Sequence, residues 1–173
     1  MRLFIAINFD DDVHSRLLDL RDEVRSCSER GSFVLDDNVH LTLVFLGECD
    51  SAQVEAAKSA MNGVVFESFD LYIDSLGRFK RDDGNLWWAG VRESLGLFDL
   101  HRDLSNQLKR SGFKLESRKY SPHITLGRKV VTEMTPRRID PFRQQVYGID
   151  LMKSERIDGI LTYTSIYYKA GQK

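Results

Sequence analysis

Cysteine is nearly absent from this chain: among 173 residues there are only Cys27 and Cys49, and neither forms a C-x-x-C pair or stands near a histidine at metal-ligand spacing. Both are expected as free thiols, which argues against a disulfide scaffold or a cysteine-built zinc module. Proline occurs three times and no Gly- or Ser-rich stretch divides the chain, so two lobes, if present, must pack directly against each other. No apolar run approaches the ~20 residues of a membrane-spanning helix. Residues 1–7 lack the long apolar segment and small-residue cleavage site of a secretory signal, so a cytosolic location is expected. Net charge is only −1 at pH 7, too little to give an overall field that would announce nucleic acid.

What is present is the composition of a folded globular chain, 42% hydrophobic and 29% charged, long enough to bury a core without staples. The charges are unevenly placed. Residues 1–60 carry twelve acidic and six basic side chains, whereas residues 109–143 carry ten basic and three acidic ones. A polyanion would meet the second half, although Lys109, Arg110 and Lys114 equally fit the solvated end of a helix.

Residues 3–8 form an apolar run. Behind Asp10, Asp11 and Asp12, Val13, Leu17, Leu20 and Val24 then recur three or four apart, which predicts a strand and a helix with acids at its positive end. An apolar patch at 33–35 and a turn at 36–38 lead to a strand over 39–46, stopped by Gly47. A helix is expected over 51–61, capped by Asp50 or Ser51. Residues 69–76 and 86–91 read as a hairpin, and Leu97, Leu100, Leu104 and Leu108 predict a helix that stops at Gly112. A strand over 123–128 follows the turn at Ser121 and Pro122. After a Pro-bearing basic connector, 145–152 and 161–169 close the chain as strands. This order predicts an α+β fold and a single domain spanning 1–173.

One internal echo stands out. Val39-His40-Leu41-Thr42-Leu43 returns 83 residues later as Pro122-His123-Ile124-Thr125-Leu126. In a strand, alternate side chains share a face, so His40 and Thr42 point one way while Leu41 and Leu43 point the other. His123 and Thr125 repeat this against Ile124 and Leu126. An imidazole near its ordinary pKa of ~6.5 can act as base or acid at neutral pH, and a hydroxyl beside it can donate to an oxygen that gains charge. Opening a cyclic phosphate needs one base and one acid on opposite sides of phosphorus, so two such pairs suffice without a metal. A single H-x-T would more readily be an ordinary packed or exposed strand pair; the repetition is what points to chemistry. A metal site is the sharper rival, but Asp36, Asp37, Glu48 and Glu116 show no H-x-x-x-H or H-x-x-E spacing to the motifs. His14 and His101 fall on predicted helices and are expected to be solvated.

The chain resembles the 2H phosphoesterases, and among them the RNA 2′,3′-cyclic phosphodiesterases of the LigT type, once called 2′-5′ RNA ligases. The likeness runs through Arg2-Leu3-Phe4-Ile5-Ala6-Ile7 and His40-Leu41-Thr42-Leu43-Val44-Phe45-Leu46-Gly47. It continues in Gly77-Arg78-Phe79, in Leu86-Trp87-Trp88-Ala89-Gly90-Val91, and in Ser121-Pro122-His123-Ile124-Thr125-Leu126-Gly127-Arg128. The resemblance implies a bilobal fold of two antiparallel sheets related by a pseudo-two-fold, with outer helices and a central cleft to which each lobe brings one motif. It further implies that His40 protonates the leaving 3′ oxygen and His123 activates water, leaving a 2′-phosphate, although sequence alone does not assign which histidine does which. Thr42 and Thr125 match phosphate-binding positions, and Arg128 matches a basic position after the second motif. Strand parity sets Arg128 on the face opposite His123, so its participation requires a bulge or a strand end. The implied substrates are RNA 3′ ends or nucleoside 2′,3′-cyclic phosphates, with no cofactor, no membrane and no obligate protein partner, the chain acting as a monomer.

Two other functions fit the same residues: reversible joining of RNA ends through a 2′-5′ linkage, and a non-catalytic module that only binds a nucleotide or RNA end. Phe45, Phe79 and Trp88 are candidates to stack on a terminal base, with core packing the alternative for each. Trp87 and Trp88 are adjacent on a strand, so at most one of them faces the cleft.

Overall fold

The computed structural model describes residues 1–173. In chain order its elements are β1 (Arg2–Ile7), α1 (Asp11–Ser26), β2 (Ser28–Phe33), a 3-10 turn (Asp36–Asn38), β3 (Leu41–Glu48), α2 (Ser51–Asn62), β4 (Phe69–Phe79) and β5 (Asn85–Val91). There follow α3 (Leu95–Arg110), β6 (His123–Thr132), β7 (Arg137–Val146), β8 (Gly148–Ile157) and β9 (Ile160–Ala170). The strands form a four-stranded sheet ordered β3-β1-β8-β9 and a five-stranded sheet ordered β2-β6-β5-β4-β7. All pairings within these sheets are antiparallel.

The helices start where their side chains can satisfy free backbone N–H groups. The Asp10 carboxylate accepts from Val13 N–H at 2.9 Å, with Asp11 and Asp12 in the first turn of α1. Asp50 and Gln53 cap α2 reciprocally, at 2.8 and 2.9 Å. Ser94 caps α3, whose Leu97, Leu100, Leu104 and Leu108 are all buried. Just beyond α3, Gly112 takes φ +92°, a conformation that lets the chain reverse without a clashing Cβ. No helix is long and apolar enough to cross a membrane.

A single apolar cluster joins both sheets. It contains Leu3, Ile5, Leu41 and Leu43 from the four-stranded sheet, Trp87, Ile124 and Leu126 from the five-stranded one, and the buried faces of all three helices. The chain also crosses repeatedly: β1 lies in one sheet, α1 and β2 lie with the other, and β3 returns to the first. The opposite face of the four-stranded sheet carries a separate small cluster of Phe4, Ala6 and Met152, with Tyr163 against it.

Two strands lie outside the expected pattern. Ser28–Phe33 reads S-E-R-G-S-F, with no apolar alternation, because it is an edge strand with mostly exposed side chains. The Pro-bearing connector contains β7, the other edge of the five-stranded sheet. Ile73 pairs with Phe142 and Ser75 with Arg138, so residues 139–141 loop out of register and Pro141, lacking an N–H, sits in that gap. The first motif strand also begins later than expected, at Leu41, which leaves His40 one residue before it.

Candidate active site

Both motifs break register at the same place. On β3, Ala6 pairs with Thr42 and Ile5 with Val44, so Leu43 is an extra residue; on β6, Trp88 pairs with Thr125 and Trp87 with Gly127, so Leu126 is extra. Directly paired residues point to the same side of a sheet, and an extra residue inverts the alternation beyond it. The core therefore takes two consecutive residues in each motif, Leu43 with Val44 and Leu126 with Gly127, all four buried. Beyond the slip, Phe45 returns to the face of Thr42, and Arg128 to the face of Thr125 and His123. The bulge removes the parity objection to Arg128.

Each imidazole is pinned by its own chain. His40 Nδ1 lies 2.7 Å from the Asn38 carbonyl and His123 Nδ1 lies 2.8 Å from the Ser121 carbonyl. A carbonyl only accepts, so both Nδ1 atoms carry the proton and any proton exchange by the neutral rings falls to Nε2. His40 Nε2 is 2.9 Å from the Thr42 hydroxyl. His40 packs against Phe4 with ring centroids 4.8 Å apart and meets Tyr163 edge-on at 5.3 Å; His123 meets Phe79 edge-on at 5.0 Å.

Burial lowers the pKa of His40 below the ordinary imidazole value. The Asn38 carbonyl opposes this, and the charges of Arg128 and His123 add to the depression. Burial also lowers His123, opposed by the Ser121 carbonyl and reinforced by Arg128 and Arg81. Arg128 acts on both rings and His123 acts on His40, so the three groups lie within electrostatic reach of one another. No carboxylate contributes to either shift, and no three His, Cys, Asp or Glu side chains are grouped so as to hold a metal ion. Three of the four acidic residues near the motifs have other partners: Asp36 bonds Arg21, Glu48 the N-terminus and Glu116 Arg118.

The aromatics separate. Trp87 is fully buried in the core. Trp88 lies over Gly77 and Gly90, where any Cβ would collide with its ring, and stacks obliquely on Phe79 at 5.4 Å. Phe45 is instead exposed.

Several neighbours of the site carry no sequence signal of their own. Tyr120 donates its hydroxyl to the Thr42 carbonyl at 2.9 Å, which joins the approach to the second motif to the strand of the first. Burial raises its pKa, so it stays a donor. His101 is not simply solvated: it stacks face to face on Tyr120 at 3.9 Å, 3° from parallel. His14 also has a partner, with Nε2 2.6 Å from the Asp36 carbonyl. Arg81 lies over the Phe79 ring at 5.7 Å. Basic residues just after Phe79 are visible in the chain, but nothing in their spacing ties one to His123.

The family described as LigT like Phosphoesterase matches residues 7–88 and 91–162. An RNA 2′,3′-cyclic phosphodiesterase of Escherichia coli K12 is 36% identical over 136 residues, 78% of this chain and 75% of that protein. One from Thermotoga maritima is 35% identical over 131 residues, 74% of this chain and 70% of that protein. In three dimensions, Escherichia coli LigT complexed with 3′-AMP matches with a TM-score of 0.84 at 28% identity, covering 99% of this chain and 98% of that one. A protein of Thermus thermophilus shares the fold with a TM-score of 0.86 at 23% identity, each chain covered in full at 100%.

Proposed function

The chain belongs to the LigT-like phosphoesterase family, and from that premise we propose that it hydrolyses 2′,3′-cyclic phosphates at RNA 3′ ends, or on nucleosides, to 2′-phosphates, using His40 and His123. The observation that carries this reading is the matched pair of imidazoles, each pinned at Nδ1 by a backbone carbonyl, with Nε2 against the Thr42 hydroxyl in His40 and without a protein partner in His123, under the common influence of Arg128. His123 Nε2, which has no protein partner, takes a proton from water. The water oxygen bonds to phosphorus, the bond from phosphorus to the 3′ oxygen breaks, and His40 Nε2 gives that oxygen its proton. His123 ends protonated and His40 neutral, and exchange with solvent resets the pair.

Arg128 and the Thr42 and Thr125 hydroxyls serve the non-bridging oxygens as they gain charge. Both histidines are hard to protonate before an anion arrives; a bound phosphodiester offsets Arg128 and favours the imidazolium that His40 needs. Opening the ring requires no cofactor on this scheme. The two lobes form one domain over 1–173, because the chain interleaves them and one apolar cluster spans both sheets. The same reading makes the protein a cytosolic monomer with no obligate protein partner.

The test is incubation of the purified chain with adenosine 2′,3′-cyclic phosphate and a chelator. Adenosine 2′-phosphate is the expected product. No turnover, turnover only with added metal, or a 3′-phosphate product overturns the scheme.

A further inference from the structure

A further bulge lies in β4, on the sheet that carries His123. Ile73 pairs with Val91 and Ser75 with Gly90, so Asp74 is an extra residue. Ile73 and Leu76 are both buried in the core, which leaves Asp74 and Ser75 together on the other face. Pairings continue across that face, His123 with Gly90, Gly90 with Ser75 and Ser75 with Arg138. Directly paired residues point to the same side, so Arg138 stands in one row with His123, three strand spacings or roughly 14 Å away.

Asp74 is a buried carboxylate on whose Oδ2 two guanidinium groups converge, Arg92 at 3.3 Å and Arg138 at 3.2 Å. One cation would offset its charge; two leave a positive surplus. Each arginine gives one of its five N–H groups to the carboxylate, and neither has a second acidic partner. Arg92 also lies over the Tyr72 ring at 4.7 Å. The pair is thus held from the sheet by a carboxylate and an aromatic, while the Arg138 side chain stays 85% exposed. Arg143, which pairs with Tyr72, is by contrast matched by Asp70 at 3.4 Å. Two anchored guanidinium groups with spare donors form a site for an oxyanion.

Between His123 and this pair the face is low. Gly90 has no side chain, Ser75 a short one, and the Trp88 ring lies against Gly90 and Gly77, where any Cβ would meet it. A nucleotide chain can pass along the row without climbing over a side chain. We propose that Arg92 and Arg138, anchored by Asp74, bind a backbone phosphate of RNA upstream of the cyclic end, so that the protein prefers oligonucleotide ends to single nucleosides. The proposal rests on the cyclic-phosphate reading above. Phosphate contacts carry no base information, so the gain is independent of sequence and falls with salt.

The experiment measures kcat/KM of the parent, Arg92→Gln, Arg138→Gln and Arg102→Gln on adenosine 2′,3′-cyclic phosphate and on oligoadenylates of increasing length that end in the same cyclic phosphate. Arg102 is the charge control, an exposed arginine of α3 bonded to Asp99 and Asp103. In the parent, internal phosphates are expected to raise kcat/KM about tenfold at low salt. Arg92→Gln and Arg138→Gln should each remove most of that gain and make the slope of log kcat/KM against log salt shallower by about one, with little change on the nucleoside substrate. Arg102→Gln should keep the gain. Equal kcat/KM on short and long substrates in the parent, a full gain in both Arg92→Gln and Arg138→Gln, or an equal loss in Arg102→Gln overturns the phosphate site, while turnover of the nucleoside substrate keeps the cyclic-phosphate reading. A parent inactive on every substrate overturns both. Each variant leaves Asp74 one arginine, and a parental melting temperature confirms that folded proteins are compared.

Discussion

The two histidines have the same motif and the same carbonyl anchor, yet their surroundings differ. His40 lies between Phe4 and Tyr163 with a partner on each ring nitrogen, whereas His123 has one aromatic neighbour, a partner on Nδ1 alone, and a second cation, Arg81, within electrostatic reach. The first is enclosed and the second open. An open Nε2 suits a base that must meet water; an enclosed ring beside a hydroxyl suits an acid that charges only when an anion arrives. Repetition of a sequence motif supplied two similar groups, and unlike packing sets them apart, which is the basis for the proposed division of acid and base.

The largest expected effect breaks that division outright. His40→Ala and His123→Ala should each lower kcat by about a thousandfold on nucleoside cyclic phosphates. On a 4-nitrophenyl phosphodiester, whose leaving group needs no acid, His40→Ala should recover most activity and His123→Ala none. The reverse pattern would exchange the two roles.

Arg128→Gln should cost about a hundredfold in kcat/KM. The same change should also move the pH profile. Removing a cation lets both imidazoles hold protons more easily, so the limbs governed by His40 and His123 shift to higher pH, measured as kcat/KM against pH. In the parent the kcat/KM bell should centre below the ordinary imidazole value of ~6.5, since both groups are lowered.

Tyr120→Phe removes only the hydroxyl that ties the second motif's approach to the Thr42 carbonyl, and should lower kcat about tenfold with little change in KM. An unchanged kcat would show that the spacing of the two strands does not depend on this bond.

The smallest effect is on stability. His40, His101 and His123 are all lowered in the fold, so below ~6.5 the unfolded chain binds more protons than the folded one and stability falls as pH drops. Thermal unfolding should therefore show a lower melting temperature at pH 5 than at pH 7. His101→Leu, outside the groove, should lessen the slope.

Much of the fold was legible because its signals are local. Asp10 to Asp12 and Asp50 announce helix starts ahead of apolar residues at helical spacing, and the caps at Asp10 and Asp50 both form. Ser28–Phe33 and Arg137–Val146 were not legible as strands. As edges they bury few side chains and show no alternation, and one tolerates Pro141 because its own residues 139–141 loop out of register with β4. The candidate site was legible as two histidines and two threonines. Arg128 was legible as a residue but not as a neighbour, since strand parity alone faced it away.

By itself the chain determined the chemistry available: two His-Thr pairs on strands, a cation after the second and an aromatic after the first. Only the tertiary structure decided which way those last two side chains point, because a bulge answers to the core's demand for Leu43 with Val44 and for Leu126 with Gly127. It likewise decided that Tyr120 meets Thr42, 78 positions away. Contacts of that range are made by packing sheets together, and no local spacing encodes them.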